Sequence, residues 1–222
     1  MKKYHFIKFI WSISICLQLS AVLPAASVES NDLKIGPWNI TALKDTIPKM
    51  RWVDQASPVH SLFFAGEDYK GRATEVFAFY ASPSTIGVSD CPQGKFPGII
   101  LVHGGGGTAF AEWVWLWAQR GYAAIAMDLS GSRPKAPLYD PKTGSPIRNT
   151  GSSVRKTNEH LPNGGPNQVH ADKFDSIGGD VSDDWPFHAV ASVMRAHSLA
   201  RPATIPRARA AETERKAISY HL

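Results

Sequence analysis

The densest chemistry in this sequence is His103-Gly-Gly-Gly-Gly107, four glycines between a short apolar run and an aromatic one. Consecutive glycines let a chain turn sharply and leave N–H groups unobstructed by side chains. Three uses compete. Backbone donors aimed at a developing oxyanion stabilise an acyl-transfer transition state by about 3–4 kcal/mol. A glycine-rich turn between strand and helix also suits a phosphate. Against that use, the Lys-Ser/Thr ending of a P-loop is missing and Ala109 breaks Gly-x-Gly-x-x-Gly. A plain tight turn is the third use. Gly105 and Gly106 are the candidate oxyanion donors, and His103 and Gly104 the residues that would orient the loop.

Other reactive side chains carry plainer readings. His160, His170, Asp172 and Asp175 fit no helical ligand pair, which points to solvated loop residues rather than a metal site. Trp113, Trp115 and Trp117 could be sugar platforms, but helical spacing makes Trp113 and Trp117 core candidates. Asp128 ends an apolar run and is expected to cap the turn that follows. His188 and His197 read as ordinary helix residues, and Cys91 beside Pro92 as inert.

These residues need elements to hold them. Residues 59–65 and 74–80 are apolar and β-branched, with turn residues at 66–71 between them, which predicts a hairpin. Gly98-Ile-Ile-Leu-Val-His103 suits a strand buried on both faces of a parallel sheet. Thr108 is a plausible N-cap for a helix carrying Phe110, Trp113, Leu116 and Trp117, with Gly121 as its stop. A second apolar run, 122–127, completes a right-handed βαβ unit. Residues 129–181 are rich in Pro, Gly, Ser and Asn, with almost nothing to fill a core. A helix follows at 184–200, opened by Asp183 and Asp184, with Phe187, Val190 and Met194 on one face.

Several separated segments, in order, resemble a known group. They are Gly66-Glu-Asp-Tyr-Lys-Gly-Arg-Ala-Thr-Glu-Val-Phe-Ala-Phe-Tyr-Ala-Ser-Pro83, Phe96 through Gly107, and Trp113 to Trp117. Arg120-Gly-Tyr122, Ala126-Met-Asp128-Leu-Ser-Gly131, Asp184-Trp-Pro-Phe-His-Ala-Val-Ala191 and Arg195-Ala-His-Ser-Leu199 complete the set. Together they resemble the first half of the α/β-hydrolase fold, in the style of secreted acetyl xylan esterases and dienelactone hydrolases. The resemblance implies an α/β fold: an incomplete hydrolase core of β-hairpin, βαβ unit, long loop and helix. It implies a carboxylic-ester hydrolase working through a serine acyl-enzyme on an acetylated polysaccharide or small ester, with no cofactor and no metal.

The sequence departs from that group at one decisive point. The family's nucleophile sits in Gly-x-Ser-x-Gly on the strand after the last helix, with an acid and then a histidine later. No such elbow occurs here: Gly87-Val-Ser-Asp-Cys91 and Gly151-Ser-Ser-Val-Arg155 both fail. No catalytic residue is therefore assigned, and the chain as written is expected to be inactive. A non-catalytic carbohydrate-binding protein, or a frameshifted and non-functional fragment, is the alternative.

Charge and leader complete the outline. The net charge of +5 comes from Lys2, Lys3 and Lys8 at one end and Arg201, Arg207, Arg209, Arg215 and Lys216 at the other. The middle is balanced and has no basic stripe, so nucleic acid is not an expected partner. Basic residues, then an apolar run from Phe9 to Leu23 broken by serines, then Ala25-Ala-Ser27 read as a signal peptide over 1–27, hence an exported protein without a stable membrane anchor. The expected domains are an N-terminal arm at 28–58, a partial hydrolase domain at 59–200 with a loop insertion at 129–181, and a divergent, disordered tail at 201–222. In that tail Ala, Arg and Pro replace any strand alternation. Another reading frame of the nucleotide sequence beyond residue 200 is expected to encode a strand and Gly-x-Ser-x-Gly. Sequencing that finds no such elbow in any frame removes the frameshift alternative.

Overall fold

A computed structural model describes residues 32–88, 96–148, 158–168, 173–174 and 177–201. The signal peptide at 1–27, Cys91 and the tail beyond Arg201 lie outside the described residues. The chain forms an α/β structure around a mixed five-stranded sheet. In order it lays down β1 (Lys34–Ile35), β2 (Trp38–Asn39), α1 (Ile40–Asp45), β3 (Met50–Asp54), β4 (His60–Ala65) and β5 (Glu75–Ala81). Then come β6 (Gly98–Leu101), α2 (Ala111–Ala118), β7 (Ala123–Met127), β8 (Ser132–Arg133), β9 (Glu159–His160) and α3 (Trp185–Leu199). The sheet order is β3-β4-β5-β7-β6, antiparallel except for the β6–β7 pair.

Alternation along the strands builds two cores. Phe63, Phe77, Phe79, Ala124 and Ala126 face the α2 side, where Val114 and Ala118 are fully buried. Leu62, Phe64, Val76, Ala78, Ile125 and Met127 face the α3 side and meet Ala189, Ala196 and Leu199. A period of two on three central strands, with a helix on each face, is what an α/β layer requires. The expected hairpin is β4–β5, in register from His60↔Tyr80 to Ala65↔Glu75. The expected βαβ unit is β6–α2–β7. Gly121, at φ +90°, ends α2 with its N–H on Ala118 O, while Tyr122 N–H reaches Trp117 O. This is a Schellman closure, and the Trp117 and Tyr122 rings pack across it at 5.1 Å.

Five sequence expectations need correction. The stretch 28–58, with its scattered apolar residues and three prolines, reads as an arm packed on the domain with weak local structure, and it is not so throughout. Met50–Asp54 is an edge strand of the main sheet, paired with β4, its alternation hidden in a proline-rich stretch. The strand at 98–103 is only four residues long and half-exposed rather than buried on both faces, because among the described residues β7 is its single neighbour. Thr108 does not cap α2. Phe110 holds that position without a side-chain bond, and Leu116 is exposed while Val114 takes the core. The face of α3 is not Phe187, Val190 and Met194. Val190 is 40% exposed, and the small residues Ala189, Ala196 and Ser198 let the helix sit close to its neighbours. The stretch 129–181 does contribute to the core, through Leu129 and Leu161, and pairs β8 with β9.

The first described segment is fastened to α3. Trp38 Nε1 donates to Phe187 O at 3.1 Å and its ring stacks on Phe187. The single Ser198 hydroxyl proton is shared between Leu43 O and Lys44 O at the end of α1, 2.9 and 2.7 Å from Oγ, and Arg201 Nη2 adds a bond to Lys44 O. These donors satisfy carbonyls that a short helix leaves open.

Two buried histidines give the fold a pH signature. His60 lies edge-on to Trp52 with no partner for Nδ1, and His188 Nε2 bonds Ser182 O at 2.8 Å. Burial holds both imidazoles below the ordinary 6.5. Asp54 pulls His60 upward, and Ser182 O, Glu67 and Asp183 pull His188 upward, without cancelling burial. A histidine depressed in the folded state takes its proton more readily when unfolded. Its stabilisation is full above 6.5 and is lost as pH falls toward the folded value. Asp54 acts in a lower window. Burial opposes its charge, but Ser57 and the Ala56 and Ser57 amides outweigh it, so its share is lost only as pH falls below 3.8. The urea midpoint is expected to drop as pH falls below 6.5, with a smaller drop in His60→Phe. A midpoint flat across that range contradicts the assignment.

Candidate active site

β6 and β7 are parallel, so their C-terminal ends emerge together, Leu101 level with Ala126. The loops beyond these ends carry every residue singled out for the glycine site. His103 turns inward and is 5% exposed. Its Nε2 accepts the Leu129 N–H at 3.0 Å, so Nδ1 keeps the proton and donates it to Gly104 O at 2.9 Å. One imidazole thus ties the exit of β6 to the exit of β7.

The four glycines form a tight turn. Gly107 N–H donates to Gly104 O at 3.0 Å and Gly106 has φ +73°. A positive φ at the third position marks a type II turn and favours glycine there. Gly104 and Gly105 are exposed. Among the described residues, the Gly105 and Gly106 amides donate no hydrogen bond. A side chain at Gly105 would meet open space, whereas a Cβ at Gly107 would come within 2.8 Å of His103 Nδ1. Glycine at 107 therefore lets the imidazole lie flat against the turn.

Asp128 is the second anchor, and the Thr108 connection to it was not visible in the sequence. It is 2% exposed. Oδ1 accepts the Ser130 N–H at 2.8 Å, the Ser130 hydroxyl at 2.9 Å and the Ser132 N–H at 2.9 Å. Oδ2 accepts from Thr108 Oγ1 at 3.0 Å. The carboxylate caps its own turn, as the Asp-Leu-Ser-Gly-Ser spacing suggests, and also tethers the end of the glycine loop. Gln168, also not singled out, donates from Nε2 to Gly107 O at 3.4 Å. A cleft of about 340 Å³ lies along the same segment, lined by Tyr69, Arg72, His160 and Asn167. The adjacency of Asn167 and Gln168 links it to the glycine turn.

The other candidates scatter. Trp113 packs on Phe110 with ring centroids 4.6 Å apart, and Trp115 and Trp117 pack against the α2-side core. His160 is exposed on β9, and His170, Asp172 and Asp175 lie outside the described residues. Among the described residues no group of three His, Cys, Asp or Glu could hold a metal ion. His188 is buried against Tyr69 and His197 is exposed, both on α3. Both nitrogens of His103 are engaged by backbone, so no serine hydroxyl is set against it. Compared with models of known protein families, with curated proteins and with solved structures, the chain gave no match.

The turn makes opposite demands on adjacent glycines. Gly105→Ala is expected to leave stability within about 0.5 kcal/mol. Gly106→Ala forces a side chain into the left-handed region and is expected to cost about 1–2 kcal/mol. His103→Phe strands the buried Leu129 N–H and is expected to cost about 1–3 kcal/mol. Urea denaturation of the three variants checks the order, and equal losses at 105 and 106 contradict the turn geometry.

Proposed function

We propose that this chain is built on an α/β-hydrolase scaffold of the acetyl xylan esterase and dienelactone hydrolase kind, with its glycine turn as the oxyanion-binding corner. The single observation that supports this reading is the unengaged pair of amides at Gly105 and Gly106. They sit at the carboxyl end of a parallel strand, on a turn held by His103 and Asp128. Ligands of open α/β sheets gather at that end of the strands. Two adjacent N–H donors on a rigid corner are suited to an oxygen that gains negative charge, because they need no reorganisation when the charge appears. A phosphate reading is weaker, since no lysine follows the glycines and the Ala111 helix has no phosphate-loop sequence ahead of it.

The substrate class proposed is an acetylated polysaccharide or a small ester, bound by an exported protein that needs no cofactor. The cleft beside Asn167, with Tyr69, Arg72 and His160 on its walls, offers hydrogen-bonding groups suited to sugar hydroxyls. Catalytic roles stop at the oxyanion donors. The sequence holds no Gly-x-Ser-x-Gly, so no nucleophile, triad acid or base is assigned.

Two measurements test this. The purified chain is expected to show no turnover of p-nitrophenyl acetate above buffer, and inhibitor-sensitive turnover would overturn the missing nucleophile. Titration with methylphosphonate is expected to shift the Gly105 and Gly106 amide resonances, with the shift lost in Gly106→Ala. Amides unmoved at saturating anion would sink the oxyanion assignment.

A further inference from the structure

The chain between β4 and β5 closes on a two-residue turn. Tyr69 N–H donates to Arg72 O at 2.8 Å, and Arg72 N–H returns the bond to Tyr69 O at 3.0 Å. Lys70 and Gly71, between them, have φ +50° and +69°. Positive φ at both central positions marks a type I′ turn. Glycine takes that conformation freely, whereas lysine rarely does. Asp183 holds the lysine there, its Oδ1 accepting the Lys70 N–H at 2.9 Å. The Tyr69 ring stands edge-on to buried His188, centroids 5.5 Å apart. The turn is therefore fixed in place by the stretch 183–188.

That turn decides where two side chains go. Residues that exchange both backbone bonds stand opposite each other, and their side chains leave the same face. Tyr69 and Arg72 accordingly both line the 340 Å³ cleft beside Asn167.

Charge in this cleft is unbalanced. Arg51, Arg133 and Arg195 each meet a glutamate. Among the described residues, the Arg72 guanidinium meets no carboxylate and no other acceptor. No Asp or Glu lines the cleft, and Glu67 nearby is committed to Arg195. Lys70 Nζ adds a second positive charge 5.0 Å from the centre of the Tyr69 ring. Arg72 is exposed, so a ligand reaches it. A planar guanidinium with open donors takes a planar carboxylate through two parallel hydrogen bonds.

The rest of the lining suits a small polar ring. His160 and Pro162 are exposed and offer apolar faces to the C–H side of a sugar. The Tyr69 hydroxyl makes no hydrogen bond among the described residues and can donate or accept. The volume is at the lower end of small-molecule sites.

We propose that this cleft holds a uronic-acid sugar, its carboxylate forked by Arg72. The sugar rests on the reading of the chain as a polysaccharide-directed scaffold, whereas the carboxylate follows from Arg72 alone. The polysaccharide is thereby narrowed to an acidic one. Gln168, next to Asn167, bonds Gly107 O, so the acidic unit lies beside the glycine turn and not on it.

Titration of the full chain with D-glucuronate, followed through the Gly165 and Asn167 amide resonances, tests this. Saturable shifts are expected. The neutral isostere glucuronamide is expected to bind about tenfold more weakly, and glucuronate to lose about as much in Arg72→Gln. Arg72 is exposed, so the circular dichroism melt of that variant is expected to match wild type. Acetate, which has the carboxylate without the ring, is expected to bind more weakly than glucuronate. Unmoved amides, equal affinity for glucuronate and glucuronamide, wild-type affinity in Arg72→Gln, or acetate binding as tightly as glucuronate each overturn the proposal. The Gly105 and Gly106 response to methylphosphonate is read separately, so either assignment can fail while the other stands.

Discussion

One buried carboxylate holds the upper edge of this molecule together. Asp128 leaves β7 with both oxygens committed, one to its own turn at 130–132 and the other to Thr108 beyond the glycines. His103 crosses the same gap from the other strand to the Leu129 amide. Two strand ends that share only parallel backbone pairing are thereby joined by side chains. An isolated carboxylate buried this deeply would be costly, and here four donors offset that cost. The glycine turn has no side chains of its own with which to hold a shape. Its geometry is inherited from these two neighbours.

This division explains why the site combines rigidity with unoccupied donors. The backbone at 104–107 spends one of its amides, Gly107, on closing the turn. The anchoring comes from outside, so Gly105 and Gly106 are released from internal bonding. A turn stabilised entirely by its own bonds would have no donors left for a ligand. Below it, the alternating faces of β4, β5 and β7 fill two cores at once and keep the strand ends level.

Much of this was legible in the residues. The hairpin, the βαβ unit and the Gly121 stop follow from local patterns: apolar alternation, run length and a glycine at the helix end. The glycine turn was visible because its residues are contiguous. Tertiary partnerships were harder to see. Thr108 has the right type and place for a helix cap, yet a buried carboxylate twenty residues away claims its hydroxyl. Met50–Asp54 is a weak strand in isolation and becomes one only through pairing with β4. The face of α3 was misread because large apolar residues drew attention, while close packing selected alanine and serine. Gln168 and the β8–β9 ladder depend on contacts across a long loop that no short-range pattern encodes.

The long loop returns to the body at a place where main chain lies directly on main chain. Gly131, at φ +63°, faces the Gly165 backbone, and Gly164 faces the Gly131 carbonyl, each with no room for a Cβ. Leu161 N–H closes the seam on Gly131 O at 2.9 Å. A methyl group at 131 or 164 would act as a wedge, lifting residues 158–168 from the turn below. Asn167 and Gln168 both ride on that stretch, so a single seam of bare backbone sets where the cleft wall stands against the glycine turn.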